Sequence, residues 1–500
     1  MKRILTTGLA LLFFASLSAQ DLLIEQITVS PTNPLSKERT EDRARICEET
    51  KMLFEAPVKK VHAVPSAAIF PGAVAPDAEQ ITRTVTLSHQ PIPEHLRHIV
   101  KNLYYSGKGN PTLYSTGLYA IPGEPITIRI PDELRDKVSI QIGIHSDRLN
   151  YWMAEKEDWR RLPILTISRP LTKRTTEIAS PFGGLVYLSC PPMGEACSGE
   201  VTISGAVAAP YFKLGETTAE QWQEEVQKSG APWGELECEG VILTLSTPTL
   251  RKIDDPEQKL RAWDLIIGAC YDLAQIPTPF FRKQRIVTDA HISGGFMHSG
   301  YPIMVSHCPE IGWDNEAPIS DPNMLVQGKG CWGFFHEIGH NMQNAADWVF
   351  NGTTEVSVNF FTLYIFDHIL LGREGAHPSI GMAASLKMIQ DHFKNGAPFE
   401  KWKNDPFLAL CTFRLMQTDF GWEPFKAVFR RFLEDDKNPD NERRNDQWKI
   451  DHFVTYFSDA VQRNLAPYFG VWNIPVSEEV QKELQKYPEW MPYHMKSILK

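Results

Sequence analysis

One stretch, Gly333-Phe334-Phe335-His336-Glu337-Ile338-Gly339-His340-Asn341-Met342, limits what this chain can fold into more than any other. Its run of apolar residues predicts a helix buried in a core. On such a helix His336 and His340 stand one turn apart, about 6 Å along the axis, and share a face. Two imidazoles so placed can bind one Zn²⁺. Glu337 then lies beside the open coordination position, where a carboxylate can take a proton from water. Whatever surrounds this helix must bring it a third ligand.

The identity of that ligand sets the subclass. A metzincin has Gly three residues after the second His and a third His three later; here those positions hold Gln343 and Ala346, so that class is excluded. A gluzincin takes a Glu from a following helix. The candidate is Glu355 in Gly352-Thr353-Thr354-Glu355-Val356-Ser357-Val358-Asn359, 15 residues after His340 and past a turn at Asn351-Gly352. Thr353 and Thr354 also suit a helix N-cap. Asp347 is the rival acid, but it follows the first helix too closely to loop back easily. Asn359, one turn beyond Glu355, is placed to hydrogen-bond a ligand His and fix its tautomer. The expected centre is one zinc ion held by His336, His340 and Glu355. Glu337 is the base and Asn359 the supporting residue.

The 500-residue chain is too long for one ordinary domain. Met1-Lys2-Arg3, an apolar run over residues 4–17 and Ser18-Ala19 have the layout of a signal peptide, expected to be cut near Ala19. Export follows, with no expected membrane span. Eight cysteines are too few for a disulfide framework; Cys190 and Cys197 are close enough to staple one loop. Residues 20–100 read as an N-terminal extension and linker, with a charged helix over 37–51 and a Pro/Ala-rich extended stretch over 64–76. Residues 101–210 carry short alternating runs such as Ile126-Thr127-Ile128-Arg129-Ile130 and predict a β-sandwich. From 211 to 500 helical periods appear around 257–273, 334–347, 356–371, 383–393 and 424–433. The expected fold class is multidomain α+β: an N-terminal β-sandwich, then a zincin (gluzincin) metallopeptidase domain, mainly helical with a small sheet. A formal charge of −10 and no long basic run give no electrostatic reason to bind nucleic acid.

The chain resembles the enhancin-like zinc metallopeptidases, a family that includes mucin O-glycopeptidases. The resemblance rests on several strings besides the His-Glu pair. Gly352-Thr353-Thr354-Glu355-Val356 with Asn359 and Leu363-Tyr364 is similar to that family's third-ligand helix. Ile292-Ser293-Gly294-Gly295-Phe296-Met297-His298-Ser299-Gly300-Tyr301-Pro302-Ile303-Met304 is similar to its approach to the active site. Asn464-Leu465-Ala466-Pro467-Tyr468-Phe469 and Trp472-Asn473-Ile474-Pro475-Val476-Ser477 are similar to its C-terminal strings. The similarity covers about residues 105–480. It implies a secreted, zinc-dependent endopeptidase. The implied substrates are O-glycosylated proteins such as mucins, cut next to a glycosylated Ser or Thr, usually on its N-terminal side.

Metallopeptidases commonly hold substrate as an extra strand on a sheet edge. Residues 292–304 are the expected edge, with Gly294 and Gly295 either admitting a bulky glycosylated backbone or forming a glycine bulge. Phe296, His298 and Tyr301 are expected near substrate, and His298 or Tyr301 could serve the oxyanion. Trp332, Trp348 and Trp313 are candidate sugar-stacking faces or core residues. Arg443-Arg444 reads as a solvated loop. Two alternatives stand: a zinc endopeptidase with no sugar requirement, and a non-catalytic, glycan-binding adhesin. A monomer is expected.

Overall fold

The computed structural model describes residues 22–103, 105, 109–328, 330–370, 377–435 and 444–498. The expected signal peptide, residues 1–19, lies outside them, as does Arg443. No helix among the described residues is long and apolar enough to cross a membrane. No disulfide joins any of the eight cysteines.

Among the described residues eight strands build the N-terminal unit: β1 (Gln80–His89), β2 (Thr112–Ala120), β3 (Pro125–Arg129), β4 (Ser139–Ile142), β5 (Ile167–Pro170), β6 (Thr175–Ala179), β7 (Gly184–Cys190) and β8 (Cys197–Ala208). They form one hydrogen-bonded path, β5-β4-β7-β2-β8-β3-β6, with β1 also on β8. The expectation of two separate sheets becomes one sheet folded over itself. The long β8 makes the fold: it pairs with β1 along its length, with β3 over Thr202–Ser204, and with β2 only through Leu118↔Ala208 and Tyr119↔Val207. Gly205 sits in the bend at φ +91°, where a Cβ would meet the Pro125 carbonyl oxygen at 2.8 Å. Alternating Ile126, Ile128, Ile140, Ile142, Val201 and Ile203 fill the space between the faces.

Two features of residues 20–100 differ from the sequence expectation. Gln80–His89 is a strand rather than linker, paired with β8 from Gln80↔Val207 to His89↔Cys197. The Pro/Ala-rich stretch is packed, not extended. Val64, Ala67 and Phe70 are buried together with Leu35, Ile46 and Leu53, the last two from α1 (Thr40–Glu55). Phe70 lies edge-on to Trp233 at 5.8 Å, and the Trp233 indole N–H donates to the Pro71 carbonyl at 2.6 Å. Small residues let this chain lie close to its neighbour; at Gly72, φ +119°, a Cβ would be 3.0 Å from the Pro232 side chain. Proline and alanine signal a lack of regular structure, not a lack of burial.

The second sheet has six strands: β9 (Tyr211–Lys213), β10 (Trp233–Glu237), β11 (Val241–Ser246), β12 (Gln284–Asp289), β13 (Met297–His298) and β14 (Ile303–Ser306). Their order is β13-β14-β12-β11-β10-β9. β12 is parallel to both β11 and β14, and β13 is an antiparallel edge on β14. Strands buried on both faces read as continuous apolar runs, and here each face has its own core. Ile286, Ile303 and Val305 point to the helices. Val287 and Met304 point to the N-terminal extension.

The helical layer begins with α2 (Ala219–Lys228) and α3 (Pro256–Ala274). α4 (Trp332–Met342) and α5 (Thr354–His368) carry the expected ligands. α6 (Met382–Lys394), α7 (Pro406–Phe420), α8 (Glu423–Asp435) and α9 (Asp446–Val461) complete it. Residues 356–366 of α5 are all buried, so α5 is the central helix. Gly339 lets α4 and α5 meet backbone to backbone: a Cβ there would be 2.8 Å from the Val358 carbonyl oxygen.

Candidate active site

The close α4–α5 contact brings His336, His340 and Glu355 to one point. One ligand atom from each lies within 4.8 Å of the others. His336 Nε2 is 3.1 Å and His340 Nε2 3.5 Å from Glu355 Oε2. The edge of a tetrahedron with metal–ligand bonds near 2.0 Å is about 3.3 Å. Two neutral imidazoles and one carboxylate are a donor set that fits zinc, with room for a fourth ligand. Both histidines hold the Glu355 carboxyl far below its ordinary range. The His side chains are 17% and 6% exposed and Glu355 53%, so the open side faces solvent at Glu355.

Each ring is fixed from behind. Asn359 Oδ1 lies 2.9 Å from His336 Nδ1, and the Asn359 amide donates to the Glu355 carbonyl at 2.8 Å. That amide bond fixes Oδ1 as the acceptor, so His336 Nδ1 carries hydrogen and Nε2 is left as the ligand atom. Gln343 does the same for His340: Oε1 is 2.7 Å from Nδ1, while Nε2 donates to the Thr354 carbonyl and to Ser357 Oγ at 2.7 and 2.8 Å. Asn359→Ala should leave the fold intact and weaken zinc binding by about 10- to 100-fold. Zinc titration against a chelating indicator checks it; unchanged affinity removes Asn359 from this role.

Glu337 projects from the same helix and is 9% exposed. Burial pushes its carboxyl above the ordinary value, against the pull of His336 and His340. Asp347, the rival ligand, is fully buried and turned away, bonded to Asn344 and Arg444. Arg444 is therefore not solvated: its side chain is 5% exposed and also lies over the Trp448 ring at 4.1 Å.

The residues expected near substrate divide. β13 packs beside α4, since a Cβ at Gly333 would meet Met297 Sδ at 2.9 Å. This puts His298, its side chain 19% exposed, on the sheet edge next to the ligand helix. Phe296 is 49% exposed, with its ring 5.9 Å from Trp313. Gly295 has φ +69°, and Gly294 is required by a neighbour: a Cβ there would be 2.6 Å from the Trp152 ring. Tyr301 serves the contact between the two sheets. Leu113 N–H donates to its hydroxyl at 3.3 Å, and Arg282 lies 3.7 Å over its ring. Trp332 packs against Phe366, His377 and Phe407, and Trp348 against Phe429.

Gln343, Tyr105 and Asp147 were not singled out by sequence. Gln343 had a readable signal, an amide three residues after a ligand on the same helix end. Tyr105 had none. Its ring stands edge-on to His340 at 5.2 Å, brought there by pairing of Leu103 with Asn344.

Comparison with known proteins adds the following. The family described as "Peptidase M60, enhancin and enhancin-like" matches residues 205–473, and "N-terminal domain of M60-like peptidases" matches residues 94–204. TRPM8 channel-associated factor 3 of Rattus norvegicus is 39% identical over 385 residues, covering 76% of this chain and 40% of that protein. The chain thus spans about 40% of the length of the curated relatives it matches. Two solved structures share the fold. IMPa from Pseudomonas aeruginosa in complex with an O-glycopeptide is 17% identical, with 84% of this chain and 52% of that one covered and a TM-score of 0.60. The ZmpB metallopeptidase from Clostridium perfringens is 16% identical, with 81% and 82% covered and a TM-score of 0.57.

Proposed function

The chain belongs to the peptidase M60, enhancin and enhancin-like family, and from that premise we propose that it is a secreted zinc-dependent endopeptidase acting on mucin-type O-glycoproteins. It cuts beside a sugar-bearing Ser or Thr, on its N-terminal side. The observation that carries the reading is the convergence of His336, His340 and Glu355 within 4.8 Å, with Glu337 one residue from His336. The substrate class is supported by the fold shared with a metallopeptidase solved on an O-glycopeptide.

His336, His340 and Glu355 would hold the zinc ion, which would supply Lewis acidity to the scissile carbonyl and to water. Glu337 takes a proton from the attacking water and delivers it to the leaving amine nitrogen. Asn359 and Gln343 keep both ligand rings in the tautomer that presents Nε2. β13 stands at the end of its sheet, an edge along which an extended peptide can lie.

A second reading, a non-catalytic binding protein, is favoured by the 39% identity to a channel-associated factor. A matched pair of peptides, with and without O-linked N-acetylgalactosamine on one Thr, separates the readings. Cleavage of the glycopeptide alone is expected. Cleavage of both makes the enzyme indifferent to sugar. Cleavage of neither, with zinc bound, leaves a binding protein.

A further inference from the structure

We propose that the N-terminal unit completes the catalytic cleft: Asp147, in the loop after β4, is a positioning residue that holds His298 as an imidazolium on the sheet edge beside the helix carrying Glu337. The inference rests on the peptidase reading of that site and adds a residue from the other unit to it.

The hydrogen bonds set the charge on the ring. His298 Nε2 lies 2.7 Å from Asp147 Oδ2, and Nδ1 lies 3.0 Å from the Ser299 carbonyl oxygen. Both partners only accept. A neutral imidazole has one N–H and can satisfy one of them; satisfying both needs two N–H groups, and therefore a cation. Ser293 Oγ, 3.3 Å from Nε2, is a rotor that can accept as well as donate. Burial by itself would push the His298 pKa down, but the bonded carboxylate more than offsets this and the ring is held above its ordinary value.

Asp147 is itself fixed. The Ser293 N–H donates to its Oδ2 at 2.6 Å, and its side chain is only 11% exposed. The rest of the loop clamps the same segment. Ala154 N–H donates to the Ser293 carbonyl at 2.9 Å. Trp152 adopts φ +57°, a costly conformation for a bulky residue. In it, the indole covers Gly294 and stands edge-on to His298 at 5.9 Å. Strain at Trp152, a glycine that alone leaves room for it, and a carboxylate reaching 151 positions along the chain converge on one histidine.

Both His298 N–H groups are engaged, so the ring acts through its charge. Its field lies on Glu337 and favours the negative charge that develops on the attacked carbonyl oxygen. Preorganised charge of this kind lowers the barrier without strengthening ground-state binding.

The full chain carries the test, as wild type, Asp147→Asn, Asp147→Glu and His298→Gln. Nitrogen-15 histidine spectra at pH 7 should show His298 with both ring nitrogens protonated in wild type and Asp147→Glu, and as a neutral tautomer in Asp147→Asn. Turnover of a cleaved glycopeptide should fall about 10- to 100-fold in kcat for Asp147→Asn and His298→Gln. KM should stay within about twofold, zinc content should be unchanged, and Asp147→Glu should recover most of the rate. A neutral His298 in wild type overturns the proposal. So does an Asp147→Asn enzyme that loses the imidazolium yet keeps its kcat. Failure of the wild type to cleave any peptide overturns the peptidase reading instead, and the spectra still decide the Asp147–His298 pair.

Discussion

Glu337→Gln is expected to lower kcat by between about 10²- and 10⁴-fold while the protein keeps its zinc and its fold. Glutamine has the size of glutamate and cannot take the proton. Burial already disfavours the Glu337 charge in the folded protein, so the neutral amide should leave the unfolding midpoint unchanged or raise it. Turnover and metal content measured on one preparation check this. A Glu337→Gln protein that cleaves at the wild-type rate would remove Glu337 from the chemistry. One that loses zinc would show that Glu337 shapes the ligand cage.

Arg161→Ala is expected to have the largest effect on stability, about 3–5 kcal/mol. Arg161 Nε and Nη2 donate to Asp289 Oδ1 and Oδ2 at 2.7 and 2.8 Å, and both side chains are fully buried. The pair ties the N-terminal unit to the end of β12, just before the segment that leads to the sheet edge. Removing the guanidinium leaves a carboxylate in the core with no counter-charge. The double change Arg161→Met with Asp289→Leu should recover much of the loss, because two apolar groups need no partner. Denaturant midpoints for the three proteins check it. A single variant within about 1 kcal/mol of wild type would mean that water reaches Asp289.

The metal centre was the most legible part of the chain because its geometry is local. Four residues on one helix place His336 and His340 together whatever the rest of the fold does. Glu355 could be named because the Asn351-Gly352 turn is followed by a long apolar run; the expected threonine cap is not made, since the Thr353 hydroxyl donates to the Phe350 carbonyl instead. Between Glu355 and Asp347, sequence could argue only from reach, whereas the structure shows Asp347 consumed by Arg444. Residue pairs far apart in sequence left no trace in any spacing. Asp147 and His298 meet because a loop of one unit lies on the edge strand of the other. Tyr105 reaches His340 only through the pairing of Leu103 with Asn344. β1 was missed for a different reason. Gln80–His89 alternates, but its inner positions, Ile81, Arg83, Val85, Leu87 and His89, include two polar residues and its outer face is rich in threonine, so its contrast is weak. For Trp332 and Tyr301 the sequence left packing and substrate contact both open; the structure shows Trp332 against Phe366 and Phe407 and Tyr301 under Arg282.

X-ray diffraction from zinc-saturated crystals on either side of the zinc absorption edge tests the metal centre most directly. One ion per chain is expected, about 2.0–2.2 Å from His336 Nε2, His340 Nε2 and a Glu355 carboxylate oxygen. An ion held elsewhere, or no ion and three side chains turned apart, would contradict it.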